Sequence, residues 1–451
     1  MKKRTYLKRM LAMGLALAMS LSLAACGNNE DNTESTPPSQ SSEVSQEPDG
    51  GESEPVQEPA YNTNYKGKTT YADIAEQLRA DTTLDLNGLD SEIFTITGYA
   101  QGYDFNEAWF GSLTQMVNSG AQVMLMAGSS QFAFNFGGLA RTAEETDIRV
   151  GGIDSLTPEF SDLLAGGVYD FCSGSYPSMI GPAIALILRD LEGNPLTDAD
   201  GNAPAVTMSH AIVHSVEELN EVLAEDTAGN YAYNAGVISA LMNADYDTFM
   251  GAVANAQWDK VLETKQAYSG EPVTTLSKEY QIGILRNDVT SDEALAYEGY
   301  LTELAEAMGF SVTFSESTEG NATNEVNQID TWAAAGFDVV VSLSSGSTYD
   351  QAEACNSHSM KYVQFAAQPE EDDLMDMETL DSYLGAVGPG KYNEAEAGYR
   401  LAKYYIDAGY TDFAIFGGSI MFGAEQHAYR VGGMMAAMVE YETGIPNTDF
   451  N

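Results

Sequence analysis

Positive charge is scarce in this chain. Its 451 residues hold 20 Lys and Arg against 67 Asp and Glu, a formal net charge of −47. Nothing resembles a basic stripe, which excludes nucleic acid as a partner and argues against broad docking on anionic lipid. An excess of one sign serves solubility in an exposed compartment. Cysteine is nearly absent, with 3 in the chain. Cys172 and Cys355 stand far apart and are expected as buried thiols rather than a disulfide or metal ligands. The 4 histidines, His210, His214, His358 and His427, form no metal-ligand spacing on a helix face. His210 and His214 fall in a predicted strand, where i and i+4 share a face, and are read as packing or hinge residues. No nucleophile elbow, phosphate loop or CxxC is present, so neither an enzyme nor a cofactor is expected.

Long apolar runs are missing too. The longest, Met10 to Ala25, is short for a membrane span, which needs about 20 apolar residues. It follows a positive stretch of Lys2, Lys3, Arg4, Lys8 and Arg9, the layout of a secretory signal. Leu23-Ala24-Ala25-Cys26, followed by Gly27, resembles the bacterial lipobox, which implies cleavage before Cys26 and lipidation on it. Residues 27–66 are rich in Ser, Pro, Glu and Gln, and Lys and Arg are absent until Lys66. Such a segment buries too little apolar surface to offset its ordering entropy, and it reads as a disordered acidic spacer. The expected location is the outer side of the cell membrane, held by the lipid.

Beyond the spacer, strands alternate with helices, the pattern of βαβ units and parallel sheets. In the later half, strands are predicted at Tyr280 to Leu285, Phe310 to Phe314, Val339 to Leu343, Tyr362 to Phe365, Tyr383 to Val387 and Phe413 to Phe416. Helices are predicted over Ser291 to Met308, Asn324 to Ala335, Tyr349 to Asn356 and Asn393 to Ala408. In the earlier half, strands are predicted at Phe94 to Thr97, Gln122 to Met126 and Arg149 to Ile153, with an extended crossing segment over Ala205 to His214. Helices there are Ala108 to Ser119, Phe132 to Glu144, Pro182 to Leu191, Val216 to Ala224 and Asn234 to Glu263.

Several motifs carry a family resemblance. Arg286-Asn287-Asp288-Val289-Thr290 follows the first later strand, and Ser344-Ser345-Gly346-Ser347 ends the third. Val387-Gly388-Pro389-Gly390 with Gly398 and Arg430-Val431-Gly432-Gly433 come next. Upstream stand Met126 to Ser130, Val150-Gly151-Gly152-Ile153-Asp154, Pro158 to Gly167 and Gly174 to Gly181. Together they resemble the type I periplasmic-binding-protein family, the sugar-binding receptors of ABC transporters. The later-half motifs resemble the start of that domain and the upstream ones its end, each once. The order implies a circular permutation. Two incomplete tandem copies would leave parallel strands unpaired and half a core exposed on each. The expected layout is a signal and lipobox at 1–26, a linker at 27–66, the later half of the binding domain, mainly its second lobe, at 67–277, the first lobe at 278–385, and the first half of the second lobe at 386–451.

The resemblance implies an α/β two-lobed fold that closes on a small polar ligand, most often a sugar, and delivers it to an ABC permease. A lipoprotein that reports ligand occupancy to a membrane receptor, or a lipid-tethered hydrolase, is the alternative. Ligands of open parallel sheets sit beyond the carboxyl ends of the strands. The candidates in the first lobe are therefore Asn287, Asp288, Ser344, Ser345 and Gln368. In the second lobe they are Ser129, Ser130, Asp154, Ser175 and Tyr176, with Phe422, Glu425, His427 and Arg430 after Phe416. Asp154 leads, because a carboxylate offers several acceptor sites to ligand hydroxyls. The chain departs from the family in lacking paired aromatics in the loop Asn287 to Ser291 and in carrying Ser129-Ser130 and Ser175 where the family has Asn-Asp and Gln. Arg430 matches the family's structural arginine better than its ligand arginine.

Overall fold

The computed structural model describes residues 71–80, 86, 89–90, 93–102, 107–128, 145–344, 347–365, 369, 371–418, 425–447 and 450. The predicted signal, lipobox and spacer lie outside the described residues, Cys26 among them, and so does the predicted helix Phe132 to Glu144. Among the described residues no helix is long and apolar enough to cross a membrane.

The strands are β1 (Leu89–Asp90), β2 (Thr95–Ala100), β3 (Val123–Met126), β4 (Arg149–Ser155), β5 (Tyr169–Ser175), β6 (Ala205–Thr207), β7 (Ala211–Val213), β8 (Gln281–Leu285), β9 (Ser311–Phe314), β10 (Val339–Ser342), β11 (Lys361–Phe365), β12 (Tyr383–Gly388) and β13 (Asp412–Phe416). They form two sheets. The 6-stranded sheet has the order β6-β12-β11-β10-β8-β9, and every neighbouring pair in it is parallel. The 7-stranded sheet has the order β1-β2-β13-β3-β4-β5-β7. It is parallel from β2 to β5, with an antiparallel strand at each edge.

From β8 to β12 the 6-stranded sheet runs second, first, third, fourth, fifth in chain order, the doubly wound arrangement that places ligands at its carboxyl edge. The 7-stranded sheet takes the same order only if β13, the last strand of the chain, is counted first. It lies between β2 and β3 and pairs with both.

The helices follow from patterning and caps. Ser291 caps helix Asp292–Met308 by accepting from the Ala294 amide, and Gly309 ends it in the left-handed region. Buried β-branched and aromatic side chains fill both faces of the 6-stranded sheet. Ile282, Ile284, Val339 and Val341 pack with Tyr300 and Leu304, whereas Leu285, Val340 and Tyr362 pack with Ile329 and Trp332. A side chain at Gly283 would strike the Trp332 ring, so glycine there sets how closely helix Ala322–Ala335 approaches.

Under the 7-stranded sheet, helices Lys391–Asp407 and Glu425–Thr443 lie in backbone contact. A Cβ on Gly398 would sit 1.9 Å from the Arg430 carbonyl oxygen, and one on Gly433 would sit 1.9 Å from that of Ala395. These two glycines give the Gly398 and Arg-x-x-Gly signals a packing cause. Helix Tyr71–Ala80 packs on helix Glu425–Thr443, where Arg79 donates to the Tyr429 hydroxyl at 3.0 Å.

Two sequence expectations change. The predicted helix Asn234 to Glu263 is three helices, Ala235–Asn243, Tyr246–Val253 and Trp258–Tyr268. Asp245 starts the second by accepting from the Thr248 amide at 2.8 Å, and Asn255 breaks the chain again in the left-handed region at φ 52. Strand β5 was not anticipated; its small residues Ser173, Gly174 and Ser175 hide the strand period. Cys172 and Cys355 are both buried and free, as expected.

Candidate functional site

The chain passes between the sheets four times, one of them after β7, where helix Val216–Glu225 on helix Phe160–Ala165 gives way to helix Ala235–Asn243 on helix Gly181–Leu191. After β5 it runs through the 3-10 turn Pro177–Ile180 into helix Gly181–Leu191, which packs on β11 and β12. Residues Met208 to His210 link β6 in one sheet to β7 in the other. After β12, Pro389 and Gly390 lead into helix Lys391–Asp407 beneath β3, β4 and β5. These crossings divide the molecule into two lobes, each with a carboxyl sheet edge.

The edges meet at Glu293. This residue lies in the first turn of the helix after β8, and its Oε1 accepts from the Tyr297 hydroxyl at 3.1 Å. It also lies close to Ser175, the last residue of β5 in the other lobe. Burial raises the Glu293 carboxyl above the usual carboxylate range. The Tyr297 and Ser175 hydroxyls and the nearby Arg430 charge pull it down, and Asp288 pushes it up. Beside it, Asp292 faces Glu159, which precedes helix Phe160–Ala165 in the other lobe. Burial and then the facing Glu159 carboxyl raise Asp292. Two carboxyl groups facing one another cannot both ionise cheaply.

The predicted residues divide. Asp154 is the penultimate residue of β4, half-buried, with Oδ1 accepting from the Ser155 amide at 3.1 Å. Gly174 lies opposite it, and a Cβ there would stand 2.0 Å from the Asp154 carbonyl oxygen, so only glycine lets β5 close on β4 at this point. Ser175 is at the lobe contact. Tyr176 is buried, its ring edge-on to Trp258 at 4.9 Å and its hydroxyl beside that of Tyr233.

Asn287 and Asp288 are exposed on the loop after β8. Asp288 Oδ1 holds the turn into the next helix, accepting from the Thr290 amide at 2.9 Å and the Ser291 amide at 3.2 Å.

Ser344 differs from expectation. It is fully buried and its hydroxyl donates to Glu325, which also accepts from Gln351 at 2.7 Å. That hydroxyl braces the first lobe from within, because a buried carboxylate needs its oxygens satisfied. His427 is buried against Gly418, and Arg430 donates to Glu394 at 2.5 Å and to the Ala127 carbonyl at 2.8 Å. Glu425 opens its helix, and its side chain is outside the described set. Ser129, Ser130, Ser345, Gln368 and Phe422 lie outside the described residues.

His210 and His214 have separate partners. His210 Nε2 stands 3.1 Å from Glu394, and His214 stacks on Tyr404 at 4.7 Å. Among the described residues no group of three or more His, Cys, Asp and Glu is arranged to hold a metal ion. Sequence reasoning missed Glu293, Tyr297, Asp292 and Glu159. The only signal for the first two was their i, i+4 spacing at the head of a helix that begins on a sheet edge.

No family model and no curated protein matches the sequence. Among solved structures, an ABC-transporter solute-binding protein from Clostridium phytofermentas with bound L-rhamnose aligns at 10% identity and a TM-score of 0.34, covering 78% of this chain and 83% of that one. A Mycobacterium smegmatis protein aligns at 14% identity and a TM-score of 0.20, covering 56% of this chain and 75% of that one. Both scores are low, and the two-sheet α/β architecture stands on the strand order of this chain alone.

Proposed function

We propose that this chain is a circularly permuted, two-lobed solute-binding lipoprotein that closes on a small polar ligand, a sugar or related polyol, and passes it to an ABC permease. The observation that carries the proposal is the approach of Glu293 in one lobe to Ser175 in the other. It occurs where two doubly wound sheets turn their carboxyl edges toward each other across four chain crossings. Hinged lobes of this kind bind by closure. The groups gathered there, Ser175, Glu293, Tyr297, Asp288 and Asp154, are hydroxyls and carboxylates, the donors and acceptors that a polyol complements. Asn287 and the loops carrying Ser129, Ser130, Ser345, Gln368 and Phe422 complete the proposed rim, and Cys26 is the proposed anchor on the outer face of the membrane.

Permutation is supported by β13. With that strand counted first, both lobes have one strand order. The proposed segments are then 67–277 and 386–451 for most of the second lobe and 278–385 for the first, with β6 exchanged into the first lobe's sheet.

A thermal-shift screen against sugars, nucleosides and amino acids tests the binding role. A true ligand at a hundredfold excess over its Kd stabilises the protein by about 2.7 kcal/mol. A response to amino acids alone moves the ligand class, and no response to any polar solute ends the proposal.

A further inference from the structure

Two lobes joined by four chain crossings need something to set their angle, and a side-chain cluster at the crossings has the geometry for it. Asn255 lies in the short connection between helices Tyr246–Val253 and Trp258–Tyr268. Its Oδ1 accepts from the Thr207 hydroxyl at 2.8 Å and from Asn393 Nδ2 at 3.0 Å. Thr207 ends β6 in the 6-stranded sheet, and Asn393 heads the helix that runs beneath the 7-stranded sheet. One amide oxygen therefore ties a strand of one lobe to a helix of the other.

The Asn255 backbone amide adds a bond to the Thr207 carbonyl at 2.7 Å. Nearby, Ser209 in the crossing from β6 to β7 accepts from Gln257 at 3.0 Å and from Asn393 at 3.3 Å. Behind this cluster stands a buried anchor. Glu394 follows Asn393 and accepts from Arg430, while His210 follows Ser209 and bonds the same carboxylate. The carboxylate only accepts, so His210 Nε2 carries the proton. Arg430 in turn holds the Ala127 carbonyl just beyond β3.

We propose that Asn255 is a positioning residue, an interlobe latch that holds the two lobes at the angle seen, with His210, Glu394 and Arg430 as its fixed base. The difference in burial suits the two parts to their roles. The base is dry and bonded to charge, so it stays made, whereas Asn255 is exposed and its bonds exchange with water as the lobes move. The latch rests on the reading of the molecule as a two-lobed closing binder, but its test needs no ligand, so failure of the latch and failure of ligand binding are separate results.

The backbone supplies a clean variant. Asn255 sits at φ 52, a conformation that glycine adopts freely, so Asn255→Gly removes both side-chain bonds without straining the chain. Spin labels at Glu306→Cys and Asp407→Cys, in a chain carrying Cys26→Ser, report the interlobe distance by double electron–electron resonance. Cys172 and Cys355 are buried and stay unlabelled. The expected result is a distribution that broadens and moves to longer distance in Asn255→Gly and in Asn393→Ala. Distributions that superimpose on the parent in both variants overturn the latch, even if the melting temperature falls, because a merely structural asparagine lowers stability without opening the lobes.

Discussion

Phe413 lies in parallel register with Ile96, although the two stand near opposite ends of the described chain. On its other side Phe413 pairs with Val123. An inner strand of the 7-stranded sheet is thus contributed from the C-terminal side to a sheet begun on the N-terminal side.

Neither half holds a closed core. Residues 67–277 lack β13 and the helices Lys391–Asp407 and Glu425–Thr443 beneath it, and residues 278–451 carry that strand with no neighbour. Each fragment expressed alone is expected to be molten or aggregated, with dye-binding apolar surface and no cooperative melt. The two co-expressed should give a folded complex. A sharp thermal transition in either fragment alone would contradict the shared sheet.

Arg430→Met should be among the most damaging single changes in the second lobe. Burial alone would raise Glu394, but Arg430 and His210 more than offset it and hold the carboxyl at about 2. Removing the guanidinium leaves a buried carboxylate with its main partner gone, a loss of about 3–5 kcal/mol. Double replacement with Glu394→Leu should recover much of it. Chemical denaturation of the parent and the two variants measures both effects, and an Arg430→Met variant within error of the parent would refute the account.

The pH dependence has two opposite contributions. Asp226 accepts from the Ser178 and Ala232 amides, and burial pushes its carboxyl up to about 6 despite those bonds. Its folded value lies above its unfolded one. The stability it contributes is therefore complete below about pH 4 and lost as pH rises toward 6, about 3 kcal/mol in all. Glu394 works the other way, its contribution complete above about pH 4.5 and lost as pH falls toward 2. Asp226→Asn should flatten the stability profile between about pH 4 and 6 relative to the parent. A profile parallel to the parent's through that window removes Asp226 from the explanation.

Asp154→Ala tests the proposed rim. Loss of a charged acceptor to ligand hydroxyls should weaken binding by on the order of 1.5–3 kcal/mol, with little change in unfolding stability. Unchanged affinity, measured calorimetrically with whichever solute shifts the melt, would return Asp154 to a strand-end turn residue that accepts from the Ser155 amide.

The sheets were legible because their strands are runs of Val, Ile and Phe between turn residues. Val339, Val340 and Val341 can only be a buried strand, and Gly309 marks a helix end without ambiguity. The crossing over Ala205 to His214 was visible as an extended segment that splits between sheets. The site was less legible, because a residue past a strand end has two fates that sequence does not separate. Ser344 faces inward, since Glu325 on the covering helix needs its hydroxyl, while Ser175 meets the other lobe. Glu293 and Tyr297 look like ordinary surface positions until the opposite edge is in place.

The position of β13 also governs when the protein can fold. Synthesis delivers the chain from its N-terminus, so β2 and β3 emerge with the strand that belongs between them still hundreds of residues away, and their mutual pairing waits on it. The lobe built on β8 to β12 takes β6 and helix Gly181–Leu191 from upstream, both already delivered, and completes first. The other lobe assembles last, around an already finished neighbour, and its ladder joins the most distant parts of the sequence. Pairing over such separations is slow, so the closing of this ladder around β13 is the step that sets the pace of the whole fold.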